Sequence, residues 1–357
     1  MPRIFSTAVA KTAIDVARPA LDSRLKYSRM PYAGNPPMLP YTDSKRWAWT
    51  HYGVFIPSLS EPHRFLNVMT LIGTTGTEIF DDGTIASDDV RTNSTLLCST
   101  AHDDQHHYAA YDAHADCEFA DDGSRLAWDE QLTITRDGDS VEVHGLFDSF
   151  TFELSLNLTD QVSYFTRTPI YQHLSLLAPY TGTIVDADGT STSLAGLGTF
   201  EYARCMGPQS LTAKPVRRPW RLPVDFFTYQ IIQLDEVTQL LLTEVTARGS
   251  VACRLVHVRN ADGTADVLDD VDFTVDEYQR EPRIAPNGIA MRVPLRHTWT
   301  ARRDGEQVLH LTCEVDQTLR YGHGNGYAGS YDYAGQFHGK DVSGIGYLEW
   351  VEMRIRD

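Results

Sequence analysis

The sequence predicts an all-β protein: two consecutive antiparallel domains, barrels or sandwiches, behind a short N-terminal helix. A pair of motifs occurs twice along the chain, and short apolar runs are punctuated throughout by Asp/Gly and Pro clusters. Beyond the first residues no long helical period appears. That spacing belongs to antiparallel meanders rather than to parallel sheets with crossover helices.

The repeat reads Tyr180-x-Gly182-x-Ile184 and then Gly196-x-Gly198-x-Phe200-Glu201-Tyr202 in the middle of the chain. At the C-terminus it reads Tyr333-x-Gly335-x-Phe337 and then Gly344-x-Gly346-x-Leu348-Glu349-Trp350. Five positions are identical and in the same order, so each half of an internal duplication closes with the same pair of strands. A length of 357 residues accommodates two such domains.

Taken in order, residues 4 to 18 carry Phe5, Val9, Ala13 and Val16 at helical spacing, and Pro19 ends the pattern. Residues 1–30 are net basic, with Arg3, Lys11, Arg18, Arg24, Lys26 and Arg29 against Asp15 and Asp22. A helix packed on the domain surface and a peripheral membrane-surface helix both fit this stretch. Pro31, Pro36, Pro37 and Pro40 make a strap, so residues 1–44 precede the first domain.

The first domain is expected over 45–206. Residues 46–56 alternate, with Trp47, Trp49, His51 and Phe55 on one face. A second strand spans 64–72, a hairpin 132–143, and the meander continues over 150–158. A proline-rich linker spans 207–223 and the second domain 224–357. Phe226, Phe227 and Tyr229, with Trp220 before them, take the place of the aromatic strand of the first half, and further strands span 240–249, 252–258, 288–293, 295–301 and 308–315.

A net charge of −17 excludes nucleic acid as a partner, since phosphate binding needs a basic surface. The five cysteines are scattered without a CxxC, and the first residues lack the apolar core of a signal peptide, which together predict a reducing, cytoplasmic setting. No apolar run reaches membrane-spanning length.

At the closing motif the chain resembles the carotenoid 1,2-hydratase (hydroxyneurosporene synthase) superfamily, through Gly344-x-Gly346-Tyr347-Leu348-Glu349-Trp350. The stretch from Trp49 through His51, Tyr52, Gly53, Pro57, Leu59 and Pro62 to Arg64-Phe65 resembles an uncharacterised actinobacterial branch of it. The resemblance implies two lipocalin-like (calycin) barrels side by side, with a hydrophobic pocket in or between them. It also implies hydration or cyclisation of lipophilic compounds, and carries over no catalytic residue.

Three residues are candidate proton donors or acceptors: His51 among aromatics on its strand face, His173 with Tyr171 and Ser175 on one face, and Asp332 in a predicted aromatic loop around Gly324–Gly329. A core histidine bonded to a backbone carbonyl is the alternative for His51. Trp47, Trp49, Tyr52, Tyr171, Tyr229, His297, Trp299 and Tyr331 are candidate substrate contacts; for His297 both pocket and plain core are open. Glu201 and Glu349, repeated in both halves, read as structural glutamates neutralised by an arginine or a backbone amide. The His/Asp-rich segment 101–116 reads as a solvated polar loop, because it lacks ligand spacing. The GxGxxG at 324–329 has no βαβ context and is no dinucleotide site. No metal and no cofactor is expected.

The first functional expectation is a cofactor-independent enzyme that hydrates, dehydrates, isomerises or cyclises a terpenoid, steroid-like or polyketide compound. The second is a non-catalytic lipocalin-like carrier of a hydrophobic ligand.

Overall fold

In a computed structural model that describes residues 11–354, the chain folds almost wholly into β-strands. The first half supplies β1 (Trp49–Ile56), β2 (Leu66–Gly73), β3 (Asn93–Ser99), β4 (His106–Asp112), β5 (Cys117–Phe119), β6 (Arg125–Trp128), β7 (Leu132–Asp137), β8 (Ser140–Phe147), β9 (Phe150–Asn157), β10 (Val162–Arg167), β11 (Tyr171–Asp186) and β12 (Ser191–Cys205). The second supplies β13 (Val224–Gln233), β14 (Thr238–Ala247), β15 (Ser250–Asn260), β16 (Ala265–Leu268), β17 (Asp270–Tyr278), β18 (Arg283–Ile284), β19 (Ala290–Met291), β20 (Pro294–Arg303), β21 (Glu306–His323), β22 (Gly326–Phe337) and β23 (Lys340–Glu352).

Both halves are wound the same way. In the first, the sheet order is β4-β3-β2-β1-β12-β11-β9-β8-β7-β6-β5, with β10 added on β11. In the second it is β16-β15-β14-β13-β23-β22-β21-β20-β17. The last strand of each half returns to pair with the first, and each meander opens after its fourth strand. The pairings between these strands are antiparallel, the first sheet nearly closes into a barrel, and the second forms a half-barrel. The fold class is therefore the one the punctuation of the sequence predicts.

The repeated motif has a packing reason. Tyr180 pairs across the ladder with Gly196, and Tyr333 with Gly344. Each ring lies against the opposite glycine, whose missing side chain leaves that space free. A Cβ on Gly182 or Gly335 would collide with the carbonyl of Glu153 or His310 on the neighbouring strand, so both motif glycines permit close strand approach.

Strand parity decides what faces what. On β9, Phe150, Phe152, Leu154 and Leu156 turn into the first barrel while their neighbours are exposed or half-buried. On β1 every residue is buried. Tyr52, Val54 and Ile56 fill the first barrel, whereas Phe55, with the opposite parity, joins Tyr229, Ile231 and Tyr347 in the core of the second half. The outer face of β1 is thus covered by the other half of the molecule. The Phe55 ring lies 5.8 Å from Tyr229 and 5.3 Å from Tyr347, centroid to centroid. Burying each such side chain contributes about 1.5–3 kcal/mol.

Several expectations are corrected here. Pro19 does not end the N-terminal helix: a π-helix over Thr12–Ala17 runs directly into a short α-helix over Arg18–Leu21 that contains it. Phe5 and Val9 lie outside the described residues. Segment 101–116 contains β4, whose polar residues are tolerated on an edge strand. The predicted loop at 324–329 is mostly strand, because β21 and β22 turn tightly at Gly324-Asn325. Trp220 is exposed in the linker and has no part in the aromatic strand.

Candidate functional site

Where the outer faces of the two closing-strand pairs meet, they leave a cavity of about 200 Å³. Its wall includes Trp49 and His51 from β1, Tyr171 and His173 from β11, Glu201 from β12, Tyr229 from β13, His323 from β21 and Glu349 from β23. A second, strongly apolar chamber of about 350 Å³ shares Trp49, Phe80, Tyr171, His173, Phe227 and Tyr229 with the first. Arg18, Leu21 and Arg24 of the N-terminal segment border its far side. Arg24 spans both halves there, donating to the carbonyls of Phe165 at 2.9 Å and Ala252 at 3.0 Å.

Three adjacent strands place the polar cluster. Ala203 on β12 pairs with His51 on one side and His173 on the other, and Glu201 stands two residues away on the same face. The Nε2 atom of His173 lies 3.3 Å, and that of His51 3.9 Å, from Glu201 Oε2. Tyr229, from the other half, donates its hydroxyl to Glu201 Oε1. His51 Nδ1 donates to the Thr70 carbonyl at 2.6 Å, and the Tyr171 hydroxyl meets His173 Nδ1 at 3.3 Å. His51 therefore combines both sequence-level alternatives: one nitrogen is anchored to a backbone carbonyl and the other faces the cavity.

Glu349 is the counterpart of Glu201 and is treated differently. Tyr347 donates its hydroxyl to Glu349 Oε1 at 2.9 Å, and His323 Nε2 lies 3.4 Å from Oε2. Burial, reinforced by the charge of Glu201, pushes the Glu349 carboxyl well above the usual carboxylate range and favours its protonated form. Burial pushes Glu201 the same way, but the hydrogen bonds and charges of His173 and His51 outweigh it and hold the carboxyl down at about 2. Burial pulls the His323 imidazole down to about 3. The two repeated carboxyls are thus shifted in opposite directions.

Of the residues singled out in the sequence, the structure brings together His51, His173, Trp49, Tyr171 and Tyr229. Tyr52 has the opposite parity and fills the first barrel, its hydroxyl donating to the Met38 carbonyl at 3.0 Å. Trp47 precedes β1 and packs beside Tyr41 and Arg204. His297 and Trp299 both reach the Gln230 side-chain oxygen at 3.0 Å inside the second half, which makes His297 core. Tyr331 is likewise buried there. Asp332 lies between buried Tyr331 and Tyr333 on a strand and so points outward, where it pairs with Arg64 at 2.9 Å.

Glu201, Glu349 and His323 were not among the candidates. The reading of the glutamates as neutralised by arginine or backbone amides is corrected: histidines and tyrosines hold them. Their available signal was a glutamate flanked by large apolar and aromatic residues, Phe200 and Tyr202 in one half and Leu348 and Trp350 in the other. Among the described residues, His51, His173 and Glu201 are the group whose donor atoms lie close enough to hold a metal ion, all within 4.8 Å of one another.

Residues 69–357 match a family described as a family of unknown function, DUF6670. The chain belongs to this family. No curated protein matches it. Among solved structures, an S-type phycobiliprotein lyase from Guillardia theta aligns at 10% identity over 52% of this chain and 97% of its own, with a TM-score of 0.19. No helix among the described residues is long and apolar enough to cross a membrane.

Proposed function

We propose that this member of DUF6670 is an enzyme that moves protons on a lipophilic small molecule held between its two halves. The observation that carries this reading is the convergence of Glu201, Glu349, His51, His173 and Tyr229 on one cavity whose surface is mainly apolar. Burying ionisable groups costs several kcal/mol unless they are paired, and core packing does not require it. A carrier of hydrophobic ligands needs only the apolar walls.

In this reading, the apolar chamber seats the body of the substrate and the aromatic faces of Trp49, Tyr171 and Phe227 exclude water. Glu349 donates a proton to an alkene or carbonyl, and the cluster around Glu201 accepts one elsewhere on the molecule. Hydration, dehydration, isomerisation and cyclisation of a terpenoid, steroid-like or polyketide compound all need such a donor and acceptor. The resemblance of the closing motifs to the carotenoid 1,2-hydratase superfamily supports the same class of chemistry.

The test is solvent-proton exchange. Full-length protein is incubated in heavy water with a panel of lipophilic polyenes and enones, and deuterium uptake or mass gain is read by mass spectrometry. Turnover of at least one compound, lost in Glu349→Gln and in Glu201→Gln, is expected. Binding of a compound with equal exchange in all three proteins would leave a carrier as the better reading.

A further inference from the structure

We infer that His51, His173 and Glu201 form a binding site for one divalent transition-metal ion of the zinc type, open toward the cavity. The inference goes beyond the proton-transfer reading and replaces the expectation of a metal-free site.

The first argument is the direction of the histidines. A backbone carbonyl only accepts, so the 2.6 Å contact with Thr70 places a proton on His51 Nδ1. In a neutral ring, Nε2 then presents a lone pair to the carboxylate oxygen 3.9 Å away. Two electron-rich atoms facing each other need a positive charge between them, which a proton on Nε2 or a metal ion supplies. His173 also turns Nε2 toward the same oxygen, while its Nδ1 meets the Tyr171 hydroxyl, which can accept from that nitrogen as well as donate to it. Outer hydrogen bonds of this kind orient metal-ligating histidines and fix their tautomer.

The second argument is spacing. Ligand atoms about 2.0–2.2 Å from a four-coordinate ion stand roughly 3.4 Å apart. The two nitrogen-to-oxygen separations, 3.3 and 3.9 Å, bracket that value. Tyr229 occupies Glu201 Oε1 and leaves Oε2 as the atom both imidazoles face. Two histidines and a glutamate form a recurrent catalytic donor set that keeps one position open, and all three residues here line the cavity.

The third argument is the comparison of halves. Glu349 repeats Glu201, but the register puts Phe227 where His51 stands and Gly326 where His173 stands. A side chain on Gly326 would collide with the Trp350 carbonyl. The repeated architecture is thus satisfied without either histidine, and the donor set is confined to one wall. A bound ion there would polarise a substrate oxygen or a water beside the Glu349 acid.

The test uses full-length protein stripped with a chelator. Zinc binding is followed by calorimetry and cobalt binding by visible absorption. One equivalent is expected to bind saturably, with the intense bands of four-coordinate cobalt. His51→Ala and His173→Ala each weaken binding about tenfold or more, and the double variant abolishes it with its far-ultraviolet circular dichroism unchanged. Tyr171→Phe, which keeps all three donors, weakens it by about tenfold. No saturable equivalent in the wild-type protein, or undiminished binding in the double variant, overturns the inference and leaves a hydrogen-bonded network. Should the variants fail to fold, X-ray absorption of the zinc-loaded wild-type protein decides: two imidazoles around the ion support the site, and any other shell overturns it. Binding is read without substrate, so its failure leaves the proton-transfer reading standing, and a lack of turnover does not touch it.

Discussion

Tyr229 of the second half donates its hydroxyl to the carboxylate of Glu201 in the first. The bond ties the two halves together at the cavity itself. Tyr229→Phe leaves a buried carboxylate short of one donor, and a hydrogen bond to a charged group contributes about 1.5–3 kcal/mol. Urea denaturation of the variant at pH 7 should show a loss of that size, and an unchanged midpoint would mean that the carboxylate is satisfied without it.

The two glutamates should respond in opposite ways to the same substitution. A glutamine mimics a protonated glutamic acid, so Glu349→Gln should change stability by less than about 1 kcal/mol. Glu201→Gln removes a charge held by two histidines and a tyrosine, and should cost about 3 kcal/mol or more. Both variants should lose turnover by about 10²-fold, the usual weight of a positioned acid or base. Equal stability losses would mean that both carboxyls share one ionisation state.

Acid should destabilise the fold well before ordinary carboxylates titrate. Burial holds His257, His297 and His323 near 3, against 6.5 for a free imidazole. Between those values the unfolded chain binds protons that the native state refuses, so stability falls as pH falls below about 6.5. Glu349 works the other way, since burial raises its affinity for a proton in the native state above that in the unfolded chain. His106, His107 and His173 are lowered by burial as well, so histidines outnumber this one carboxyl and the net direction is a loss of stability as pH falls. Urea midpoints that stay flat from pH 6.5 to 5 would contradict this.

Gly53 guards the geometry of His51. A Cβ there would lie 2.5 Å from the Phe55 ring and 3.0 Å from His51 Nε2. Gly53→Ala should therefore cost about 1–3 kcal/mol through overpacking and displace the imidazole. Denaturation reads the first effect and the histidine resonances in NMR spectra the second; a variant matching the wild-type protein in both would show that the strand has room.

Asp332 offers a contrast. Its pair with Arg64 is exposed on the aspartate side. Asp332→Asn should cost no more than about 1 kcal/mol and leave turnover intact, whereas a large loss of turnover would return Asp332 to the site.

Much of this site was legible one strand at a time. Period-two alternation put Glu201 on the opposite side from Phe200 and Tyr202, and it put His51 with Trp49 and Phe55. What parity does not say is what covers the outer face of a barrel. Here the other half covers it, so residues that alternation assigns to the outside are buried, and glutamates that look architectural because they repeat meet at one cavity. His297 shows the converse: its inward direction was legible, and Gln230, its partner across the sheet, was not. Asp332 was placed in a loop because glycines and tyrosines crowd residues 321–333; they pack instead into a hairpin that carries its own alternation.

The closing strands of each half do two things at once: they pair back onto the first strand of their sheet and they form one wall of the cavity. Two identical halves joined through those strands would present the same residues from both sides, and any proton donor would face its own copy. Covalent fusion removes that constraint. One wall carries His51 and His173, the other carries Phe227 and Gly326 in their places, and the affinity of the shared glutamate for a proton is shifted in opposite directions on the two sides. Asymmetry of the reacting environment is thus a property of having both copies in one chain, and neither half could provide it by associating with itself.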